Sequence, residues 1–178
     1  MTPIHWRAAK PGDEQALSLL GQATFLATFA FDHPGGPLIE FLQDLHSVEF
    51  YAAKLANPGI DIIIGETPLG APVAYAMLCP PEHPELQQDG DWELKRIYLL
   101  PGWQGGGNGG ALMKQALNIA LKRQAARLLL AVYEVNERAI GFYKRQGFAE
   151  IGETVFMVGD VAFRDMVYAR TLDLAPPF

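Results

Sequence analysis

The chain has 178 residues, 49% hydrophobic and 19% charged, and its 14 Lys and Arg against 20 Asp and Glu leave a formal charge of −6. That apolar content excludes a disordered chain, and the length suits one domain able to bury a substantial core. The acidic balance argues against a nucleic-acid partner and is compatible with a cationic ligand.

Ile4–Ala8 reads as a first strand, and Pro11-Gly12-Asp13 punctuates and caps a helix over Glu14–Phe29. Asp32-His33-Pro34-Gly35-Gly36-Pro37 is a loop, and one further helix is expected over Leu38–Ala56, stopped by Asn57-Pro58-Gly59. Ile60–Ile64 and Val73–Leu78 form a hairpin across Glu66–Ala71. After the proline-broken loop Pro80–Gly90, a strand runs over Trp92–Leu100 into a glycine-rich stretch. A helix over 110–124, a strand over Arg127–Val132, a helix over 136–146 and strands over 148–157 and 163–171 complete the order β-α-α-β-β-β-α-β-α-β-β. No repeat or linker divides the chain, so one domain over 1–178 is expected.

No run of about 18 apolar residues occurs, and Met1–Pro11 lacks a basic-then-apolar signal pattern, so a cytoplasmic protein without a membrane partner is expected. Cys79 is the only cysteine and can form no internal disulfide. His5, His33, His46 and His83 lack metal-ligand spacing, so each reads as a surface or hydrogen-bonded histidine and no metal is expected.

Gln104-Gly105-Gly106-Gly107-Asn108-Gly109-Gly110 carries the most information. Glycine is poor material for the strand before it or the helix after it, because ordering it is entropically costly. A strand that feeds a side-chain-free loop opening a helix is physically an anion cradle: backbone N–H groups can approach phosphate oxygens, and the helix terminus adds partial positive charge. A P-loop is excluded, since Lys114 arrives too late and no Ser or Thr follows it. Gly105, Gly107 and Gly110 match the dinucleotide fingerprint G-x-G-x-x-G, with Glu134 downstream, but the segment before them does not read as repeated βαβ units. The third pattern is Q-x-x-G-x-G, in Gln104, Gly107 and Gly109.

That pattern resembles the acetyl-CoA pyrophosphate loop of the GNAT N-acetyltransferase superfamily, and a second motif agrees with it. Asn136 to Phe148 is similar to the family's N-x-x-A-x-x-F-Y-x-x-x-G-F at every fixed position. Read from the residues, it is a short helix with Asn136 as N-cap, Ala139, Phe142 and Tyr143 on one face, and Gly147 as the stop. The segment Gly152–Asp160, the following Asp165–Leu172, and Thr24, Phe25, Thr28 and Phe29 resemble the branch of PaiA-type spermidine/spermine acetyltransferases.

The resemblance implies a mixed, mostly antiparallel sheet of about seven strands with helices on both sides, and acetyl-CoA as co-substrate. It implies that Gly105, Gly106, Gly107, Asn108, Gly109 and Gly110 bind the pyrophosphate, with Gln104 shaping the loop. The backbone of Ile97, Tyr98 and Leu99 would run along the pantetheine arm, Asn136 would contact the cofactor, and Tyr143 would protonate the departing thiolate. For the general base, relatives carry E-x-E-R-I-Y; here Glu93-Leu94-Lys95-Arg96-Ile97-Tyr98 keeps the first glutamate and has Lys95 at the second, leaving Glu93, water or solvent. The acceptor is expected to be a small amine, polyamines first, entering near Phe25 and Phe29 with Glu40 or Glu93 close by; a homodimer is compatible with the family. Acetylation of a peptide or protein N-terminus, or a non-catalytic acyl-CoA sensor, are the alternatives.

Overall fold

Strand β2 (Asp61–Glu66) buries Ile62, Ile63 and Ile64 in succession, a pattern open only to a strand covered on both faces. The computed structural model, which describes residues 3–173, shows the cover. Along the chain lie β1 (His5–Ala8), α1 (Glu14–Phe29), α2 (Gly35–Leu45), α3 (Val48–Ala56), β2, β3 (Pro72–Cys79), β4 (Asp91–Leu99), α4 (Asn108–Lys122), β5 (Arg127–Tyr133), α5 (Glu137–Arg145), β6 (Ala149–Val158) and β7 (Val161–Thr171). The seven strands make one sheet, ordered β1-β2-β3-β4-β5-β7-β6. Every neighbouring pair is antiparallel except β4–β5, whose parallel pairing requires the α4 crossover.

On one face, Leu112, Met113, Ala116 and Ala120 of α4 pack on Ala74, Ala76 and Leu78 of β3 and Leu94 of β4, with Tyr143 of α5 in the same cluster. The opposite face carries Leu17 and Leu20 of α1 and Tyr51 of α3 on Ile62, Ile64, Tyr75 and Met77. Each fully buried leucine or isoleucine here stabilises the fold by roughly 1.5–3 kcal/mol. A third cluster, Phe25, Leu38, Phe41, Leu42 and Val158, ties α1 and α2 to the β6–β7 hairpin. Among the described residues no helix is long and apolar enough to cross a membrane.

The helix expected over Leu38–Ala56 is two helices. His46 leaves helical geometry, Ser47 is extended, and the Ser47 hydroxyl caps α3 by accepting from Phe50 N–H at 3.0 Å. The break is fixed by tertiary contacts: the His46 carbonyl accepts from Ser18 Oγ at 2.7 Å and Gln22 Nε2 at 3.2 Å. Helix α2 also begins earlier, at Gly35, since Pro37 falls in its first turn where its missing N–H matters little. Asp13 is the N-cap of α1, its carbonyl accepting from Leu17 N–H at 2.9 Å, but its side chain makes no capping bond. Its carboxylate accepts from Arg7 Nη1 and Nη2, at 2.7 and 2.9 Å, and Arg7 bridges on to Glu66 through Nε and Nη2.

Register slips between Met77 and Leu78: Arg96 lies opposite Met77, and Leu94 opposite Leu78, leaving Lys95 as an extra residue in β4. The bulge resets the alternation of side chains. Leu94, Ile97 and Leu99 therefore all face α4 and α5, while Arg96 and Tyr98 face α1 and α3.

Candidate active site

β4 and β5 pair only through Asp91–Arg127, Trp92–Leu128 and Glu93–Leu129, and beyond the Lys95 bulge they part. The exposed edge can be read from the ladder on the other side of β4. Leu100 N–H donates to Val73 O at 2.9 Å, so alternation makes Tyr98 the next residue bonded to β3. Ile97 and Leu99 consequently turn their N–H and C=O groups towards the gap. The parting opens a cavity of about 900 Å³ that runs from the glycine loop to α1 and α2.

At the loop end, Gln104, Gly105, Gly107, Gly109 and Gly110 line the wall. Gly107 caps α4 at φ 88°, a left-handed conformation that side chains other than glycine adopt only with strain. Ala111 N–H makes the first helical bond, to Gly107 O at 2.9 Å, so Gly109 and Gly110 N–H have no partner within the helix. A Cβ placed on Gly105, Gly107 or Gly110 would meet no atom within 4 Å; the space above the loop is open to an anion. Gln104 Nε2 donates to Leu99 O at 3.2 Å, which fixes the loop to the end of β4. Gly106 and Asn108 are not on the cavity wall: the Asn108 amide turns inward to Trp103 O at 3.0 Å and closes the loop.

Asn136 caps α5 by accepting from Ala139 N–H at 3.2 Å, and it lines the cavity together with Arg138, Ala139, Phe142 and Tyr143. Its amide nitrogen is not used by the cap. Tyr143 is buried against Phe148, and burial alone pushes its phenol well above the usual value of 10. It is thus held as the protonated hydroxyl, a state able to donate.

The far end of the cavity is aromatic. Phe25 lies 4.4 Å from Phe29 and 4.8 Å from Phe41 between ring centres, and Tyr98, Phe156 and Phe163 complete the wall. His33 stacks flat on Phe163 at 3.8 Å, its Nδ1 is 2.7 Å from Asp32 Oδ1, and Tyr133 Oη donates to Asp32 Oδ2 at 2.9 Å. His46 is fully buried beside Tyr51 Oη at 3.1 Å, and desolvation pushes it down to about 2, leaving a neutral imidazole. Its Nε2 has no hydrogen-bond partner among the described residues, contrary to a histidine satisfied on both nitrogens.

Two carboxylates reach this chamber in very different states. Glu93 is 1% exposed, and it accepts from Glu82 N–H at 2.9 Å and Lys95 Nζ at 3.2 Å. His83 Nε2 also lies 3.2 Å from it, though not aligned as a hydrogen bond. Burial raises its carboxyl, but the His83 and Lys95 contacts outweigh burial and hold it below the usual range. An ionised carboxylate with its oxygens occupied is a weak proton acceptor, which weighs against Glu93 as the general base. Asp165 of β7, which sequence reading did not single out, lines the same cavity at 8% exposure. Desolvation pushes it up to about 6, against the opposing charges of Lys95 and His83. The signal was present in the strand: Phe163, Asp165 and Val167 share one face by alternation, so an acid stood in an apolar row. Phe25 and Phe29 line the cavity. Glu40 does not: it is exposed on α2 and is absent from the cavity wall.

Known proteins resemble the chain at three levels. The family model of the GNAT acetyltransferase family matches residues 28–148. An uncharacterized N-acetyltransferase of Mycobacterium tuberculosis is 39% identical over 103 residues, which cover 58% of this chain and 62% of that protein, somewhat under two thirds of its length. Streptothricin acetyltransferase of Streptomyces lavendulae is 31% identical over 167 residues, covering 85% of this chain and 87% of the relative. In fold, the PaiA N-acetyltransferase of Thermoplasma acidophilum, solved in complex with coenzyme A, aligns with a TM-score of 0.75 at 18% identity over 96% of this chain and 99% of that one.

Proposed function

The chain belongs to the GNAT acetyltransferase family, and from that premise we propose that it transfers the acetyl group of acetyl-CoA to the primary amine of a small molecule. The observation that carries the reading is the β4–β5 split, which joins a glycine cradle, a strand edge released from β5, a protonated phenol and an aromatic chamber in one cavity.

Each part has a chemical task. The free N–H groups of Gly109 and Gly110 and the open space over Gly105 and Gly107 suit a pyrophosphate. The edge groups of Ile97 and Leu99 can pair with the amides of the pantetheine arm. An N–H on that edge can also polarise the thioester carbonyl, a contribution of about 2.7–4 kcal/mol for a single preorganised donor. Tyr143 supplies the proton that the leaving thiolate takes up. Cys79 is not on the cavity wall, and burial pushes its thiol up to about 12, so a direct attack by the amine is favoured over an acetyl-enzyme. Tyr143 also counts against a non-catalytic acyl-CoA sensor, which has no use for a buried proton donor.

The acceptor belongs in the aromatic chamber. A relative named for one compound, streptothricin, supports a small-molecule acceptor over a protein N-terminus. The polyamine expectation loses Glu40, which is off the cavity, and Glu93, which is paired. Aromatic walls still attract an ammonium group, so spermidine stays first in the panel. A cytoplasmic setting goes with this reading. The test is release of coenzyme A thiol against a panel of spermidine, lysine, arylalkylamines and N-terminal peptides. Small amines are expected to be turned over; release with the peptides alone would reject the acceptor class, and no amine-dependent release would reject the activity.

A further inference from the structure

We propose that Asp165 anchors the ammonium group of the acceptor and receives its proton, the role that Glu93 is too heavily engaged to fill. The inference rests on the acetyltransfer reading above and adds to it the residue that prepares the nucleophile. Three independent features of the geometry converge on this carboxylate.

The first is position. Asp165 pairs with Tyr133 across β5–β7 and with Thr154 across β6–β7, so its side chain stands on the α1 side of the sheet, in the chamber wall with Phe163. The second is vacancy. No ion pair within 4.0 Å involves Asp165 among the described residues, whereas Glu93 is matched by Lys95 at 3.2 Å. The groups that act on it are Lys95 and Tyr98 from β4, His83 from the loop before β4 and Tyr133 from β5, and all four do so through space, without a hydrogen bond to its carboxylate among the described residues. A buried carboxylate without a partner is costly to keep, and an incoming ammonium is the partner that removes the cost. The third is setting. Phe25, Phe29, Phe41 and Phe156 pack together in the wall of the same cavity, and aromatic faces favour a cation.

The step balances. The acceptor enters as R–NH₃⁺ and one proton passes to an Asp165 oxygen. The freed nitrogen attacks the thioester carbonyl carbon; the C–N bond forms and the C–S bond breaks. The thiolate takes the Tyr143 hydroxyl proton, the surplus proton on the amide nitrogen restores Tyr143, and the proton on Asp165 leaves to solvent after the product. The carboxyl, pushed up to about 6, is ionised at neutral pH yet basic enough to take the proton transiently.

The experiment compares wild type, Asp165→Asn and Glu93→Gln in kcat/KM for the best amine of the panel between pH 5 and 9.5, with calorimetric binding of acetyl-CoA alongside. Without a proton acceptor, only the neutral amine can react, and that fraction is on the order of 10⁻³ at pH 7 for an alkylamine. The expected result is a loss of about 10²–10³ for Asp165→Asn at pH 7, narrowing roughly tenfold per pH unit towards pH 9.5. Acetyl-CoA affinity should not change, and the acidic limb near pH 6 should persist in Glu93→Gln and vanish in Asp165→Asn. A pH-independent loss, an undiminished kcat/KM in Asp165→Asn, or a limb that vanishes with Glu93 instead would each overturn the assignment. Asp165→Ser, smaller and also uncharged, must show the same pH-dependent deficit. Wild type without amine-dependent turnover overturns the acetyltransfer reading itself, before any variant is compared.

Discussion

Replacing Asp165 by asparagine should stabilise the protein at neutral pH, and the size of the effect follows from burial. A carboxyl moved from 3.8 to about 6 is disfavoured as the anion by about 3 kcal/mol. Because the folded state holds this proton more tightly than the unfolded state, Asp165 does no harm below about pH 4, and its penalty grows as pH rises through about 6. Asparagine removes the charge but buries an amide in the same place, which returns part of the gain; a net 1–2 kcal/mol at pH 7.5 is a fair expectation, by the roughly 1–3 kcal/mol typical of such amides. In a chain of this size that is roughly 2–8 °C in Tm. Thermal unfolding of both proteins at pH 7.5 and pH 4.5 measures it. The variant should melt higher at pH 7.5, and the gap should close or reverse at pH 4.5, where wild-type Asp165 is protonated. A gap that is unchanged between the two pH values, or a variant less stable at pH 7.5, refutes the reasoning that Asp165 is a desolvated carboxylate without a partner.

Tyr143→Phe keeps the buried ring and deletes the hydroxyl, so kcat should fall by roughly 10²–10⁴ with acetyl-CoA affinity unchanged, read by initial rates and calorimetry. Gly109 is helical, and an added Cβ would lie 3.5 Å from Phe142, an ordinary contact. Gly109→Val should therefore keep its circular dichroism spectrum and lose acetyl-CoA binding; intact binding would remove the cradle assignment. Gly21 of α1 faces the His46 ring, and an added Cβ would meet His46 Nδ1 and lie 2.6 Å from Tyr51 Oη, so Gly21→Ala should cost about 1–3 kcal/mol in denaturant unfolding.

Local signals account for what the sequence disclosed. The bounds of α1 and the order of all seven strands followed from periodicity and from turn residues such as Asn57-Pro58-Gly59. The glycine loop and the Asn136–Phe148 helix were readable because their chemistry depends on backbone and on contiguous residues. What was hidden depends on contacts between distant segments. The break at His46 is held by Ser18 and Gln22, some two dozen positions away, so no local residue pattern announced it. Glu93 looked like a candidate base until His83 and Lys95 were seen beside it, and a bulge at Lys95 is not visible in an apolar alternation read one strand at a time. Glu40 was placed in the acceptor site from its sign alone, and α2 turns it to solvent. Asp165 reversed the error: its place in an apolar row marked it, but only the parting of β4 and β5 shows what that row faces.

Direct transfer within the β4–β5 split is tested most closely by initial rates of thiol release with acetyl-CoA and the best amine both varied, and with the acetylated amine counted. Two substrates meeting in one continuous cavity predict intersecting reciprocal plots, no thiol burst without amine, and one N-acetylated product for each thiol released. Parallel plots with a burst of thiol in the absence of amine would contradict the account, because they require an acetyl group held on the protein.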